Sequence, residues 1–193
     1  MPSAPKILKE TILETAYGML IRDGYETINI KTVAQELGCS TQPISRQFGN
    51  MDGFREELLD YCLFKFSAAF SVKGEKVADI VLGVAQGYIN LAYDYPNVYK
   101  YLYMSDPDGE KKGDLARSLR SENYARVIKM LMEEYDVGFD TANDFMKDME
   151  YYVHGIASYT VIGFVHKDKE ELMARIADVR DVFLVQMQKE AGK

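Results

Sequence analysis

The sequence predicts an all-α protein. In a chain of 193 residues, apolar side chains recur three or four positions apart along most of the length, which is the spacing of one helix face. Five prolines interrupt the chain, and the sequence has no long run of the alternating apolar and polar residues that would indicate a strand. The apolar segments between capping signals give nine predicted helices.

Three short helices are predicted at the N-terminus. The first spans 6–22. Asn29 is the predicted N-cap of the second, and Ser40 is the predicted N-cap of a third that runs to Phe48, because such side-chain oxygens satisfy the free N–H groups of a first helical turn. Pro43 then occupies the third helical position, where a missing N–H costs nothing. Pro43 therefore marks a helix start and does not break a helix.

The second and third of these helices form a helix-turn-helix pattern. Ala34 is small enough to let the helices approach, and Gly38 allows a tight turn between them. Apolar side chains seal the pair against the first helix: Val33, Leu37, Ile44 and Phe48. Polar side chains that can reach base edges and phosphates are left on the outer side of the third helix: Thr41, Gln42, Ser45, Arg46 and Gln47. The alternative interpretation is a three-helix core with a polar outer face.

The charge distribution favours the N-terminal segment as the part that can approach DNA. The chain carries a net charge of −7. Residues 1–50 hold five basic and five acidic side chains and are therefore neutral, so the rest of the chain carries the whole negative charge. The N-terminal segment is the part that repels DNA phosphates least.

Residues 8–60 resemble the DNA-binding domain of the TetR family of bacterial transcriptional regulators. The resemblance rests on ordered motifs, which are Gly24-Tyr25, Val33-Ala34, the turn Gly38-Cys39-Ser40, the terminal Phe48, and the acidic and apolar segment from Asn50 to Leu59. It implies a nine-helix fold, in which a three-helix head with a helix-turn-helix precedes a helical body that binds a ligand and dimerises.

The same resemblance implies which residues contact DNA. These are Asn29, Lys31, Ser40, Thr41, Gln42, Pro43, Ser45, Arg46 and Gln47. Ser45 and Met51 depart from the family, whose members usually have Tyr and often Lys at these two positions. We therefore expect few phosphate contacts and a shallow dependence of DNA affinity on salt, with about three to five phosphates neutralised per subunit.

We expect residues 1–50 to form the DNA-binding domain, a fourth helix over 51–72 to act as a connector, and residues 73–193 to form the ligand-binding and dimerisation domain. Spacing and caps predict the later elements: helices over 75–93, from Pro96, from Asp114 to Tyr135, from Thr141 to Val165 and from Asp168 to Lys189, with a polar loop over 105–113.

The last two long helices predict a homodimer. Both carry apolar residues on more than one side, and one chain has too few helices to cover them all. A two-fold dimer would cover them, and the family resemblance implies a four-helix interface. The predicted interface residues are Tyr159, Ile162, Ile176, Val179 and Phe183.

Fourteen tyrosines and ten methionines suit a cavity for an aromatic or amphipathic small molecule. The alternative is that these side chains belong to the core and to the interface. The candidate pocket residues are Tyr88, Tyr99, Tyr103, Tyr124, Tyr152, His154 and Tyr159. His154 lies in a long apolar helix, and it is interpreted either as a packing histidine or as a ligand contact.

Several kinds of site are not predicted. Cys39 and Cys62 have no CxxC spacing, so we expect neither a metal site, a cofactor nor a disulfide framework. His154 and Ser158 are four positions apart, but no carboxylate is placed to orient them, so catalysis is not expected. The sequence contains no membrane span and no secretion signal, which together with the cysteine usage predicts a cytoplasmic protein.

These observations predict a ligand-responsive repressor that binds a palindromic operator in double-stranded DNA as a homodimer. A small apolar or aromatic effector would release it from the DNA. The alternative is a helical protein-interaction adaptor that has lost DNA binding.

Overall fold

A computed structural model describes residues 7–67, 74–104 and 122–192. Over these residues the chain forms nine α-helices and no strand, which confirms the all-α prediction. The helices are α1 (Lys9–Asp23), α2 (Ile30–Glu36), α3 (Gln42–Phe48), α4 (Met51–Ser67), α5 (Val77–Asp94), α6 (Pro96–Tyr99), α7 (Glu122–Tyr135), α8 (Phe139–Val161) and α9 (Lys169–Ala191). The predicted loop over 105–113 and the predicted N-cap Asp114 lie outside the described residues.

The described residues form two compact units. The head unit contains residues 7–67 and 95–104, and the body unit contains residues 74–94 and 122–192. In the head unit α4, which lies within the predicted connector over 51–72, and the segment 95–104 pack together with α1–α3.

Specific contacts tie the segment 95–104 to the head unit. The side-chain amide of Asn97 donates to the carbonyl of Ile21, at the end of α1, over 3.0 Å. The ring of Tyr101 stacks on that of Tyr25 with centroids 4.5 Å apart. These contacts join positions more than seventy residues apart in the chain, so the spacing of apolar residues could not reveal them.

The turn between α2 and α3 has the predicted geometry. Val33, Ala34 and Ile44 are buried, which places the apolar sides of both helices in the core. Gly38 has a φ of +64°, a left-handed value that an L side chain rarely adopts. The N–H of Cys39 donates to the carbonyl of Ala34 over 2.9 Å, which closes the end of α2.

The predicted start of α3 is wrong by one residue. The helix begins at Gln42, and its N-cap is Thr41, whose side chain makes no capping hydrogen bond, in place of Ser40. Pro43 is therefore the second helical residue and not the third. The reason that Pro43 is tolerated at the helix start is unchanged, because proline has no N–H to leave unsatisfied anywhere in the first turn.

In the body unit, α5 packs against α7, α8 and α9. Large side chains from each helix are buried there, including Ile89, Leu131, Val153 and Ile176. Both ends of α5 are also held by polar contacts. The N–H of Val77 donates to the carboxylate of Glu134 over 3.0 Å, and the ammonium of Lys169 lies 2.7 Å from the carboxylate oxygens of Asp94.

The ends of the two long helices test the predicted caps. α8 begins at Phe139 with Gly138 as its N-cap, so the predicted helix start at Thr141 is wrong. α8 ends at Val161, before Gly163 turns the chain with a φ of +76°. Asp168 is confirmed as the N-cap of α9, since its carboxylate accepts a hydrogen bond from the N–H of Glu171 over 2.8 Å.

Candidate functional site

The start of α2 is held by a capping box. The side-chain oxygen of Asn29 accepts hydrogen bonds from the N–H groups of Lys31 (2.9 Å) and Thr32 (3.1 Å). The hydroxyl of Thr32 accepts in return from the N–H of Asn29 over 3.0 Å. Asn29, a predicted DNA contact, therefore uses its side-chain oxygen to fix the helix start, while the exposed Lys31 follows it on α2.

The recognition face is the outer side of the turn and of α3. Its fully exposed members are Ser40, Thr41, Gln42, Ser45 and Arg46. Pro43 is half-buried. On the opposite side of the helix Ile44 is completely buried and Phe48 nearly so. The two apolar anchors thus fix which side of this short helix is exposed, and that side carries small hydroxyls, an amide and a guanidinium.

Gln47 is placed differently from the rest of the predicted set. Its side-chain amide donates to the carbonyl of Ile7, just before α1, over 2.8 Å, and the side chain is half-buried. This contact ties the end of α3 to the start of the chain. The two residues are forty positions apart, so the sequence offered no signal for it.

The cations of α2 and α3 differ from nearby cations of the head unit in having no acidic partner among the described residues. Lys9 pairs with Glu57 at 2.5 Å, and Arg22 pairs with Glu36 at 3.0 Å. The side chains of Lys31 and Arg46 make no ion pair with any residue in the described part of the chain, and both are exposed. Their charges are therefore available to an anion such as phosphate.

The body unit exposes apolar side chains on α8, on α9 and just after α8. We call this set the apolar face: Tyr151, Tyr159, Ile162, Phe164, Val182 and Val185, which are 49 to 74% exposed. Of these six, only Tyr159 and Ile162 were predicted for an interface. Tyr151 lies two turns before Tyr159, Val182 lies three residues after Val179, and Val185 lies three after Val182, so the sequence could have indicated these three, whereas Phe164 lies beyond the end of α8.

The remaining predicted interface residues lie deeper. Val179 and Phe183 are half-buried. Ile176 has no exposed surface at all, so its assignment to an interface is corrected, because its side chain packs in the core of its own unit. Periodicity marks Ile176 as apolar but does not say which neighbour covers it.

The predicted pocket residues do not come together in one unit. Tyr99 and Tyr103 belong to the head unit, where Tyr99 is fully buried and the two rings lie 5.0 Å apart. The other predicted members belong to the body unit: Tyr88, Tyr124, Tyr152, His154 and Tyr159.

Within the body unit, His154 lies edge-on to Tyr88 with ring centroids 6.2 Å apart. Burial lowers the pKa of His154, and the nearby carboxylate of Glu150 opposes that shift. The hydroxyl of Tyr124 lies 3.2 Å from the side-chain oxygen of Asn143. Because burial disfavours its charged form, the imidazole of His154 favours the neutral state. It lies beside Tyr88, where α8 packs against α5.

Beyond these sites, the described residues include a buried thiol but neither a metal-binding cluster nor a membrane-spanning helix. Burial raises the pKa of the Cys62 thiol to about 12, which leaves it protonated and unreactive at neutral pH. No group of three or more His, Cys, Asp or Glu side chains there could hold a metal ion. The same residues include no helix that is long and apolar enough to cross a bilayer.

Comparisons with known proteins give one kind of match. No protein-family profile matches the sequence, and no curated protein sequence matches it. A crystal structure described as a TetR-family transcriptional regulator from Rhodococcus sp. matches at a TM-score of 0.68 and 15% identity, over 91% of this chain and 97% of that one.

A second match is a TetR variant from Acinetobacter baumannii AYE in complex with minocycline. It has a TM-score of 0.63 and 12% identity, over 96% of this chain and 99% of that one. Both similarities span nearly the whole of each chain at very low identity, so they concern the path of the backbone. The chain has the TetR-family fold.

Proposed function

We propose that the chain is a transcriptional regulator that binds a palindromic operator as a homodimer and is released by a small-molecule effector. The observation that carries the proposal is the recognition face. Its exposed polar side chains include Arg46, which has no ion-pair partner among the described residues, in a protein with a net charge of −7. Fold similarity to TetR-family regulators supports the same conclusion.

The recognition face suits the major groove of DNA. A guanidinium can donate two parallel hydrogen bonds to a guanine, and an amide such as that of Gln42 can pair with an adenine. Ser40 and Thr41 can donate to phosphates, and Lys31 supplies a further charge at the start of α2. Because Ile44 and Phe48 anchor the opposite side of α3, the side chains that face the groove are held on a fixed support.

The apolar face supports the homodimer. Its six side chains expose on the order of 600 Å² per chain, if an aromatic side chain contributes about 150–250 Å² when fully buried. That area is at the upper limit of the apolar patches that monomers leave exposed. It approaches the roughly 800 Å² that each partner contributes to a standard interface. Two copies related by a two-fold axis would cover it and present two recognition faces to one palindrome.

The effector is proposed to be apolar or aromatic and to bind in the body unit, near Tyr88 and His154. A neighbouring imidazole and phenol offer a ligand both ring surface and hydrogen-bonding tips. The similar TetR variant was crystallised with minocycline, which supports a small-molecule ligand in this fold. Binding would shift α4 and alter the separation of the two recognition helices, which must match about 34–36 Å, one turn of DNA.

The proposal is tested by selecting fragments of the source genome with the purified protein and sequencing those retained. A shared palindrome is expected. The Arg46→Ala variant should lose about 1–3 kcal/mol of binding free energy at each half-site, roughly 5- to 150-fold in affinity per half-site, because one base contact is removed from each.

Lys129→Ala is the matched control for this experiment. It removes one exposed cation from α7 in the body unit, where Lys129 forms only a solvent-exposed pair with Glu133 at 3.6 Å. Operator affinity should stay within about twofold for this variant, since exposed pairs contribute little. If no fragment is enriched even at low salt, DNA binding is refuted and the protein-interaction adaptor becomes the better explanation.

A further inference from the structure

Gly155 interrupts the apolar face at a position where its own chain gives no reason for a glycine. It lies in the interior of α8, four residues after Tyr151 and four before Tyr159, and so on the same side of the helix. Its backbone is helical, without the positive φ that would require glycine. Apart from its chain neighbours and the nearby backbone of its own helix, a Cβ built at this position would meet no atom of the described residues within 4 Å.

A glycine in the middle of a helix is unfavourable for the protomer, because it loses more chain entropy on folding than alanine does. At Gly155 no close packing against another described residue offsets this loss. The space above the backbone lies between the exposed rings of Tyr151 and Tyr159, which are 67 and 53% exposed. Gly155 itself is half-buried, with one exposed aromatic side chain a helical turn to either side of its bare backbone.

We infer that Gly155 is the point at which a helix of the second copy of this chain crosses α8 most closely. The inference rests on the homodimer of the proposed function. It names the residue that sets how closely the helices of the two copies cross. A second copy is the occupant because the surrounding apolar face has about the area that one partner of a stable dimer needs. From Tyr151 through Gly155 to Tyr159, the positions one turn apart on this side of α8 also carry no charge.

The test measures the dimer dissociation constant by sedimentation velocity for Gly155→Ala and Gly155→Leu. We expect dimerisation to weaken at least fivefold for alanine and at least a hundredfold for leucine, because each added carbon holds the two helices apart. Alanine and leucine both favour a helix over glycine. A weaker dimer therefore cannot arise from a weaker α8, and unchanged helicity in circular dichroism verifies this.

Gly83 provides the matched control. It is an exposed glycine inside α5 of the same unit, and a Cβ there also meets nothing within 4 Å. Gly83→Ala and Gly83→Leu should leave the dissociation constant within twofold of the wild type. A Gly155→Leu dimer that is as tight as the wild type would overturn this inference and leave the homodimer intact. A wild-type protein that stays monomeric at tens of micromolar would overturn the homodimer and the inference together.

Discussion

The recognition face of the head unit and the apolar face of the body unit are both exposed, but their chemistry is opposite. The first presents hydroxyls, an amide and the guanidinium of Arg46. The second presents tyrosines, a phenylalanine and branched aliphatic side chains. The named side chains of both surfaces are largely exposed and so add little to the core of the unit that carries them. Each therefore points to a partner, and the chemistry of each surface indicates which one.

The comparison also separates the energetic roles of the two faces. A polar and cationic surface gains binding free energy from contacts with phosphates and base edges, and its contribution to DNA affinity falls as the salt concentration rises. An apolar surface gains binding free energy when water is removed from it, and its contribution to self-association is roughly proportional to the area covered. Substitutions on the recognition face should therefore change the affinity for DNA, and substitutions on the apolar face should change self-association.

The largest effect is expected from Val182→Glu on the apolar face. Val182 is 63% exposed in the protomer, so the chain should fold normally, but a dimer would have to bury an unpaired carboxylate. We expect the dimer to weaken at least about a hundredfold, or about 2.7 kcal/mol, by sedimentation velocity.

Phe139→Glu is the control for this prediction. Phe139 is 57% exposed at the first residue of α8 and lies outside the apolar face, so the same negative charge should leave self-association unchanged. Equal dissociation constants for Val182→Glu and the wild type would show that the apolar face is not the interface.

A smaller effect should separate Gln47 from the exposed residues of the recognition face. Gln47→Ala removes the hydrogen bond to Ile7 and should lower the free energy of unfolding by about 0.5–1.5 kcal/mol in urea titrations. Gln42 is exposed, so Gln42→Ala should change stability by less than about 0.5 kcal/mol. Operator affinity should show the reverse order, with the larger loss for Gln42→Ala. If Gln47→Ala costs more DNA affinity than stability, its amide leaves Ile7 to contact DNA.

What the sequence predicted well depends on neighbours in the chain. The start of α2 at Asn29, the turn at Gly38 and the cap at Asp168 are set by bonds within a few residues, and all three are found where expected. Pro43 was placed in the first turn of α3 for a local reason as well, and an error of one residue did not change that reason.

What the sequence could not predict depends on contacts between distant parts of the chain. Tyr99 follows α5 directly, yet it is buried in the head unit and not in a pocket of the body unit. Ile176 belongs to the same apolar pattern as its exposed neighbours on α9, but it faces the core. Helical spacing identifies an apolar side chain, whereas its covering partner is decided by how whole helices pack.

The smallest effect is expected from pH, and it concerns the inner side of α8 and not the apolar face. Burial lowers the pKa of His154 below its ordinary value of 6.5, although Glu150 opposes the shift. As the pH falls through 6.5, the unfolded chain takes up a proton at this imidazole while the folded chain resists it. The unfolded state then binds more protons, so the free energy of unfolding falls until the pH reaches the lower pKa of the folded state.

Urea titrations at pH 7.5 and pH 5.5 measure this loss directly. His154→Gln should lose less stability between the two pH values than the wild type, because it has no proton to exclude. His166→Gln is the matched substitution, at the second histidine of the sequence, which is exposed in the loop after α8. If His154→Gln and the wild type lose stability equally, the packing of α8 against α5 leaves its imidazole as accessible to water as an exposed one, and the contrast between the inner and outer sides of α8 would be wrong.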